Sequence, residues 1–233
     1  MSLQYVKERI ESFVTSEGSE ALAITGRYGV GKTYFWRECL RSLDNEKNIL
    51  RTGIANPEYS YVSLFGIESL EELRVAIFAN LIDSKKLESA LNRSKRVGRI
   101  GVTKLERIPK LKEWTGGLVS AFAFNEIERA LICFDDLDRK SEKLSIRDVL
   151  GLANQLKEEH GCKIALILNE DAFVDEDSRR EFRLQVEKIV DEELRFDPKP
   201  EEIFEMVFPR DFPFQSELRS YCSLLELNNL RTL

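Results

Sequence analysis

Ala21-Leu22-Ala23-Ile24-Thr25-Gly26-Arg27-Tyr28-Gly29-Val30-Gly31-Lys32-Thr33 is the stretch on which the fold turns. An apolar strand, Ala21–Thr25, runs into a glycine-rich turn, and a helix from about Lys32 to Leu43 follows. The turn carries the full G-x-x-x-x-G-K-[ST] pattern, Gly26 to Thr33. Gly26, Gly29 and Gly31 leave the backbone free to aim consecutive N–H groups of Arg27, Tyr28 and Val30 at an anion. The helix adds its positive end, beginning with Lys32, Thr33 and Tyr34. Lys32 is placed to reach the β- and γ-phosphates, and the Thr33 hydroxyl to coordinate a cation. The pattern therefore predicts binding of a nucleoside triphosphate, ATP, with Mg²⁺.

About a hundred residues on, Leu131-Ile132-Cys133-Phe134-Asp135-Asp136 is an apolar strand ending in two acids. In a parallel sheet that end lies at the ligand crevice. Asp135 is the candidate for holding the Mg²⁺ hydration shell beneath Thr33, and Asp136 for orienting or deprotonating the attacking water. Adjacent acids favour transfer to water. Thr103-Lys104-Leu105-Glu106 only faintly resembles a guanine-reading motif, because it precedes the acidic strand, ends in Glu and lies in a basic tract.

Outward from these two motifs, strands and helices alternate. Leu3, Val6, Ile10, Phe13 and Val14 recur at helical spacing. Tyr59–Phe65 reads as a strand, and Ser69 with Glu72 as a capping box opening a helix to about Leu81. A helix is expected from about Ile146 to His160, closed by Gly161, and a buried strand over Lys163–Leu168. A charged helix, Ser178–Val190, and a strand near Glu193–Phe196 complete the core before Pro198 and Pro200. His160 reads as a histidine at a helix C-terminus, interacting with the dipole. This order predicts a mostly parallel sheet with helices on both faces.

Asp135-Asp136-Leu137-Asp138-Arg139 after a hydrophobic strand, with the P-loop upstream, resembles the KAP family of P-loop NTPases. More broadly it resembles the AAA+-like and signalling branches of the additional-strand NTPases. Tyr61-Val62-Ser63-Leu64-Phe65-Gly66 is similar to their second strand. The resemblance implies a three-layer α/β/α sandwich of strand order 5-1-4-3-2, followed by a helical lid. It also implies a polar sensor on the fourth strand, and Asn169 stands there; a cap for the turn Asn169-Glu170-Asp171 is the other reading. Relatives supply an arginine from a neighbouring subunit just before the fifth strand, where Arg179 and Arg180 lie; Arg139 is a rival. Asp138 is expected to cap the turn after its strand. Asn228-Asn229-Leu230-Arg231 resembles the arginine-bearing start of a lid helix, which makes Arg231 a second sensor near the nucleotide.

KAP proteins often carry membrane-spanning helices between the P-loop and the acidic strand; the insertion here, roughly 85–125, differs. Lys85 to Trp114 holds ten basic and three acidic residues, net +7 in a chain of net charge −6. Gly116–Phe124 is apolar but too short to span a bilayer. The basic tract, Lys85–Lys112, is a candidate for nucleic acid, an anionic surface or an acidic face of a neighbouring subunit, against the plainer reading of a solvated loop. The chain's 233 residues, 42% hydrophobic and 33% charged, suit a core over 1–200 with a lid or second module over 201–233. A sequence pI near 5.2 excludes a basic coat over the whole surface. Four cysteines without C-x-x-C spacing and a single histidine exclude zinc-ligand patterns and point to the reducing cytoplasm.

Three functions follow from these readings. One is an ATP-hydrolysing switch or assembly module, acting as a homo-oligomer or with an effector; the family resemblance adds bacterial anti-phage defence. A second is a small-molecule kinase, for which Arg179, Arg180 and Arg183 mimic a lid. A third is an ATP-binding scaffold without useful turnover.

Overall fold

The computed structural model describes residues 2–47, 59–82, 124, 127–169, 176–208, 214–225 and 229–230. In chain order these form α1 (Leu3–Thr15), β1 (Ala21–Thr25), α2 (Lys32–Lys47), β2 (Tyr59–Ser63), α3 (Leu70–Ile82), β3 (Leu131–Asp135), a 3-10 turn (Leu137–Arg139), α4 (Ile146–Glu158), β4 (Lys163–Leu168), α5 (Glu176–Ile189), β5 (Glu192–Arg195), α6 (Pro200–Val207) and α7 (Gln215–Leu224). Most of the 85–125 insertion, its basic tract included, and Arg231 lie outside the described residues.

Five parallel strands pair in the order β2-β3-β4-β1-β5, which read from the other edge is the expected 5-1-4-3-2. Alternation along the strands feeds two apolar layers. Leu22, Ile24, Cys133 and Ile167 face one side, where Ile10 and Phe13 of α1 and Trp36 and Leu40 of α2 cover them. Ala23, Phe134, Leu166 and Leu168 face the other, under α3, α4 and α5. The result is the three-layer α/β/α sandwich. Both faces are covered, so β1, β3 and β4 are buried at every position.

Local signals set the helix ends. Ser145 Oγ accepts from the Asp148 N–H at 3.0 Å and starts α4, and Gly161, with φ 64°, turns the chain out of it. The capping box of α3 is shifted by one residue: Ser69 Oγ accepts from the Glu72 N–H, but the Glu72 carboxylate accepts from Glu68 N–H at 2.8 Å. β2 stops at Ser63, and Phe65 makes an isolated antiparallel bridge to Lys140. His160 lies just past the C-terminal end of α4 and makes two further contacts. Its Nδ1 meets the Ile127 carbonyl at 2.8 Å and its ring stands edge-on to Phe124, so it packs the segment before β3 onto the end of α4. Among the described residues no helix is long and apolar enough to cross a membrane.

Candidate nucleotide site

β1 delivers the chain into the glycine-rich turn, and α2 begins at Lys32. Gly29 and Gly31 have φ of 83° and 98°, the left-handed region where a side chain is strained. A methyl at Gly26 would collide with the backbone carbonyl oxygen of Phe196, just past β5. Lys32 Nζ donates to the carbonyls of Gly26 at 2.6 Å and Arg27 at 2.8 Å, which holds the ammonium over the turn. Arg27 is exposed and pairs with Asp197 at 2.9 Å.

Two strands away in the sheet, β3 ends beside this turn. Thr33 Oγ1 donates to Asp135 Oδ2 at 2.6 Å, joining two motifs 102 residues apart in sequence. Asp135 is buried. Burial raises its carboxyl above the usual range, and the hydrogen bonds from Thr33 and Tyr61 act against that rise. Asp136 is in the left-handed region (φ 56°, ψ 38°), which turns the chain directly after the strand. Its N–H donates to Asp135 Oδ1 at 2.8 Å, and its own carboxylate accepts from Ser63 Oγ at 2.8 Å. Arg139 approaches Asp136 at 3.8 Å while stacking over Phe65.

These groups line one cavity of about 320 Å³, with walls of Tyr28, Gly29, Gly31, Lys32, Thr33, Tyr34, Asp135, Asp136, Asp138, Ile167, Leu168, Asn169 and Leu230. It brings together the phosphate cradle, both acids and Asn169. Val30 instead points into the core, and Gly26 and Arg27 do not line the cavity, their carbonyls accepting from Lys32. Arg179 and Arg180 do not line it. They sit on α5, whose Phe182, Val186 and Ile189 pack into the core, with Arg179 half-buried and Arg180 exposed.

Five contacts were not legible in the sequence. Tyr61 donates its phenol O–H to Asp135 Oδ2 at 2.6 Å, and Ser63 holds Asp136; their alternation on β2 beside an acidic strand is the one available hint. Burial, with Asp135 beside it, pushes the Tyr61 phenol well above its ordinary range, so it stays a donor at neutral pH. Asp138 does not cap its own turn; its Oδ1 accepts from the Asn169 N–H at 3.1 Å and ties the β3 exit to the β4 exit. Leu230 N–H donates to the Gly29 carbonyl at 2.8 Å, and Tyr34 O–H to the Met206 carbonyl at 3.0 Å, so segments beyond β5 lie on the P-loop.

The donor set fits a hydrated magnesium ion shared with a nucleotide. One hydroxyl and one carboxylate converge, and among the described residues no cluster of three or more His, Cys, Asp or Glu could cage a metal alone.

A five-stranded parallel sheet in this order, with the glycine-rich turn between β1 and α2, defines a P-loop NTPase fold. The fold is similar to that of the ORC2 protein of Aeropyrum pernix, solved in ADPNP–ADP complexes, at TM-score 0.52 and 16% identity over 94% of this chain and 51% of that one. Weaker likenesses are Cdc6p of Pyrobaculum aerophilum (TM-score 0.44, 16% identity, 88% of this chain, 47% of that one) and Drosophila ORC bound to DNA (0.49, 11%, 99% and 49%). The chain thus spans about half the length of the solved structures it resembles. No protein-family model matches it, and neither does any curated protein.

Proposed function

We propose that the chain binds ATP with Mg²⁺ at this cavity and hydrolyses it, and that hydrolysis drives a switch or assembly step. The observation that carries the reading is the 2.6 Å bond between Thr33 and Asp135, which closes the P-loop onto the acidic strand with Lys32 alongside. Thr33 and Asp135 would hold the cation, which when bound neutralises charge on the phosphates. Lys32 exchanges loop carbonyls for phosphate oxygens. Asp136, oriented by Ser63, accepts a hydrogen bond and then a proton from a water whose oxygen bonds to the γ-phosphorus as the bond to the bridging oxygen breaks; ADP leaves with that electron pair, and Asp136 returns the proton to the released phosphate or to solvent. Asn169 stands across the cavity to position the water or feel the γ-phosphate.

The resemblance of Asp135-Asp136-Leu137-Asp138-Arg139 to the KAP signature supports the switch reading, with a homo-oligomer or an effector as partner and anti-phage defence as context, and the unpaired, buried cysteines support a reducing cytoplasm. Arg179 or Arg180 would act on a neighbouring copy's nucleotide, Arg231 on this one, and the basic tract on an anionic surface or nucleic acid.

Binding of a fluorescent ATP analogue and phosphate release test the reading together. Lys32→Ala is expected to weaken binding about 100-fold, and Asp136→Asn to keep affinity within about threefold while turnover falls about 100-fold. Wild-type turnover in Asp136→Asn removes Asp136 from the chemistry. Failure of the wild type to bind any nucleotide ends the proposal.

A further inference from the structure

β2 was read from the sequence only as a strand, yet its Tyr61 reaches the centre of the site. The Asp135 carboxylate takes two donors on one oxygen, Thr33 Oγ1 and Tyr61 O–H, each at 2.6 Å from Oδ2. Its other oxygen accepts from the Asp136 N–H at 2.8 Å. Rotating this carboxylate breaks at least two of these bonds, so it is presented in one orientation, with its open lone-pair direction on Oδ1.

Tyr61 is itself held in place. Parallel pairing sets Tyr61 opposite Cys133 and Ser63 opposite Asp135, so the phenol lies on the Asp135 face of the sheet and reaches along it to the strand end. Asn80 Nδ2 donates to the Tyr61 carbonyl at 2.7 Å and fixes the backbone from α3. Arg37, one helical turn after Thr33 on α2, places its guanidinium 4.5 Å from the centre of the Tyr61 ring. The neighbouring Tyr59 marks the contrast: its hydroxyl accepts from Trp36 Nε1 at 2.9 Å inside the core and serves packing alone. Phenylalanine would fill the Tyr61 site equally well but would leave Asp135 Oδ2 with one donor fewer.

We infer that Tyr61 is a positioning residue, braced by Arg37, whose hydroxyl holds the Asp135 carboxylate in the orientation that faces the divalent cation of a bound nucleotide. The inference rests on the ATP–Mg²⁺ reading above. Partners that orient a metal's carboxylate typically change metal affinity about 10- to 100-fold when lost. The effect belongs to the cation and not to the phosphate cradle, which Lys32 and the turn N–H groups supply.

The test titrates Mg²⁺ against binding of a fluorescent ATP analogue, in the wild type and Tyr61→Phe, with a parallel series in EDTA. Tyr61→Phe is expected to need about tenfold more Mg²⁺ for half-maximal enhancement, with binding in EDTA unchanged. An unchanged Mg²⁺ dependence overturns the inference, as does an equal loss with and without the cation, which marks simple packing. Should Tyr61→Phe not fold, Arg37→Met keeps the hydroxyl and removes the brace; a rise of about threefold supports the inference and no rise overturns it. A wild type whose nucleotide binding ignores Mg²⁺ overturns the functional reading itself, whereas a Mg²⁺-dependent wild type matched by Tyr61→Phe overturns this inference alone.

Discussion

Asp138 stands in a turn where a carboxylate would ordinarily cap its own backbone, yet it accepts from Asn169, just past the next strand. That bond couples the turn carrying Asp136 to the residue proposed to sense the γ-phosphate. Asp138→Ala is expected to slow phosphate release about tenfold, equivalent to about 1.4 kcal/mol, while analogue binding stays within about threefold; Asp138→Asn keeps the acceptor and most of the rate. Equal loss of binding and turnover would show that Asp138 supports only the cavity wall. The thiols give a simpler residue-scale expectation. Burial pushes Cys39 to about 12 and Cys162 to about 11, and all four cysteines are buried. The reactive thiolate is therefore scarce at neutral pH, and iodoacetamide should label the native chain far more slowly than the urea-unfolded one. Rapid native labelling of Cys39 would contradict the packing of α2.

Elements meet the site through close backbone approaches. Thr25 accepts from the Phe196 N–H at 2.7 Å as the chain leaves β5, which brings the Phe196 carbonyl against Gly26. Gly26→Ala forces the exit of β5 away from the P-loop, because the obstacle is backbone and not a flexible side chain. A loss of about 2–3 kcal/mol in urea unfolding, with weakened nucleotide binding, is expected; an unaffected midpoint would mean that the two loops separate freely. Behind the loop, Trp36 is wholly buried and its Nε1–H reaches Tyr59, so it fastens α2 to β2. Trp36→Ala is expected to cost about 3–5 kcal/mol, read from the same unfolding curves. Element identity was largely legible: β1, β3 and β4 are apolar runs, and α4 announces itself with Ser145 and Gly161. The end of β2 was not, because Leu64 and Phe65 continue the apolar pattern while pairing with β3 ends at Ser63–Asp135, with one last bond from the Leu64 N–H to the Asp135 carbonyl.

At the scale of the molecule, the two arginines expected to act from a neighbouring copy lie away from this chain's own cavity. Arg179 and Arg180 project from α5, outside the cavity, a placement that suits contribution to a neighbouring copy. ATPase activity per molecule should then rise with protein concentration, and Arg179→Ala with Arg180→Ala should remove the rise while leaving single-chain binding intact. A flat rate across concentrations would mean a self-contained site. The segments that bond to the P-loop and the start of α2, at Leu230 and Met206, come from beyond β5; Leu230 belongs to the Asn228-Asn229-Leu230-Arg231 run, whereas Met206 lies in no motif.

The glycine-rich turn, the strand with its two acids and the alternation that makes a parallel sheet can all be read from the residues alone, because each of these is local. Glycine spacing, apolar runs and caps act within about a dozen residues, and they read the same before and after folding. Folding adds what no local pattern holds: Tyr61 and Ser63 bond to the two acids, Asp138 bonds to Asn169 and Leu230 lies on Gly29. Those bonds span 74, 73 and 31 residues and, for Leu230, most of the chain. The first three exist because β2, β3 and β4 lie side by side in a set register, and pairing order arises from packing both faces of the sheet, which no short stretch of residues encodes.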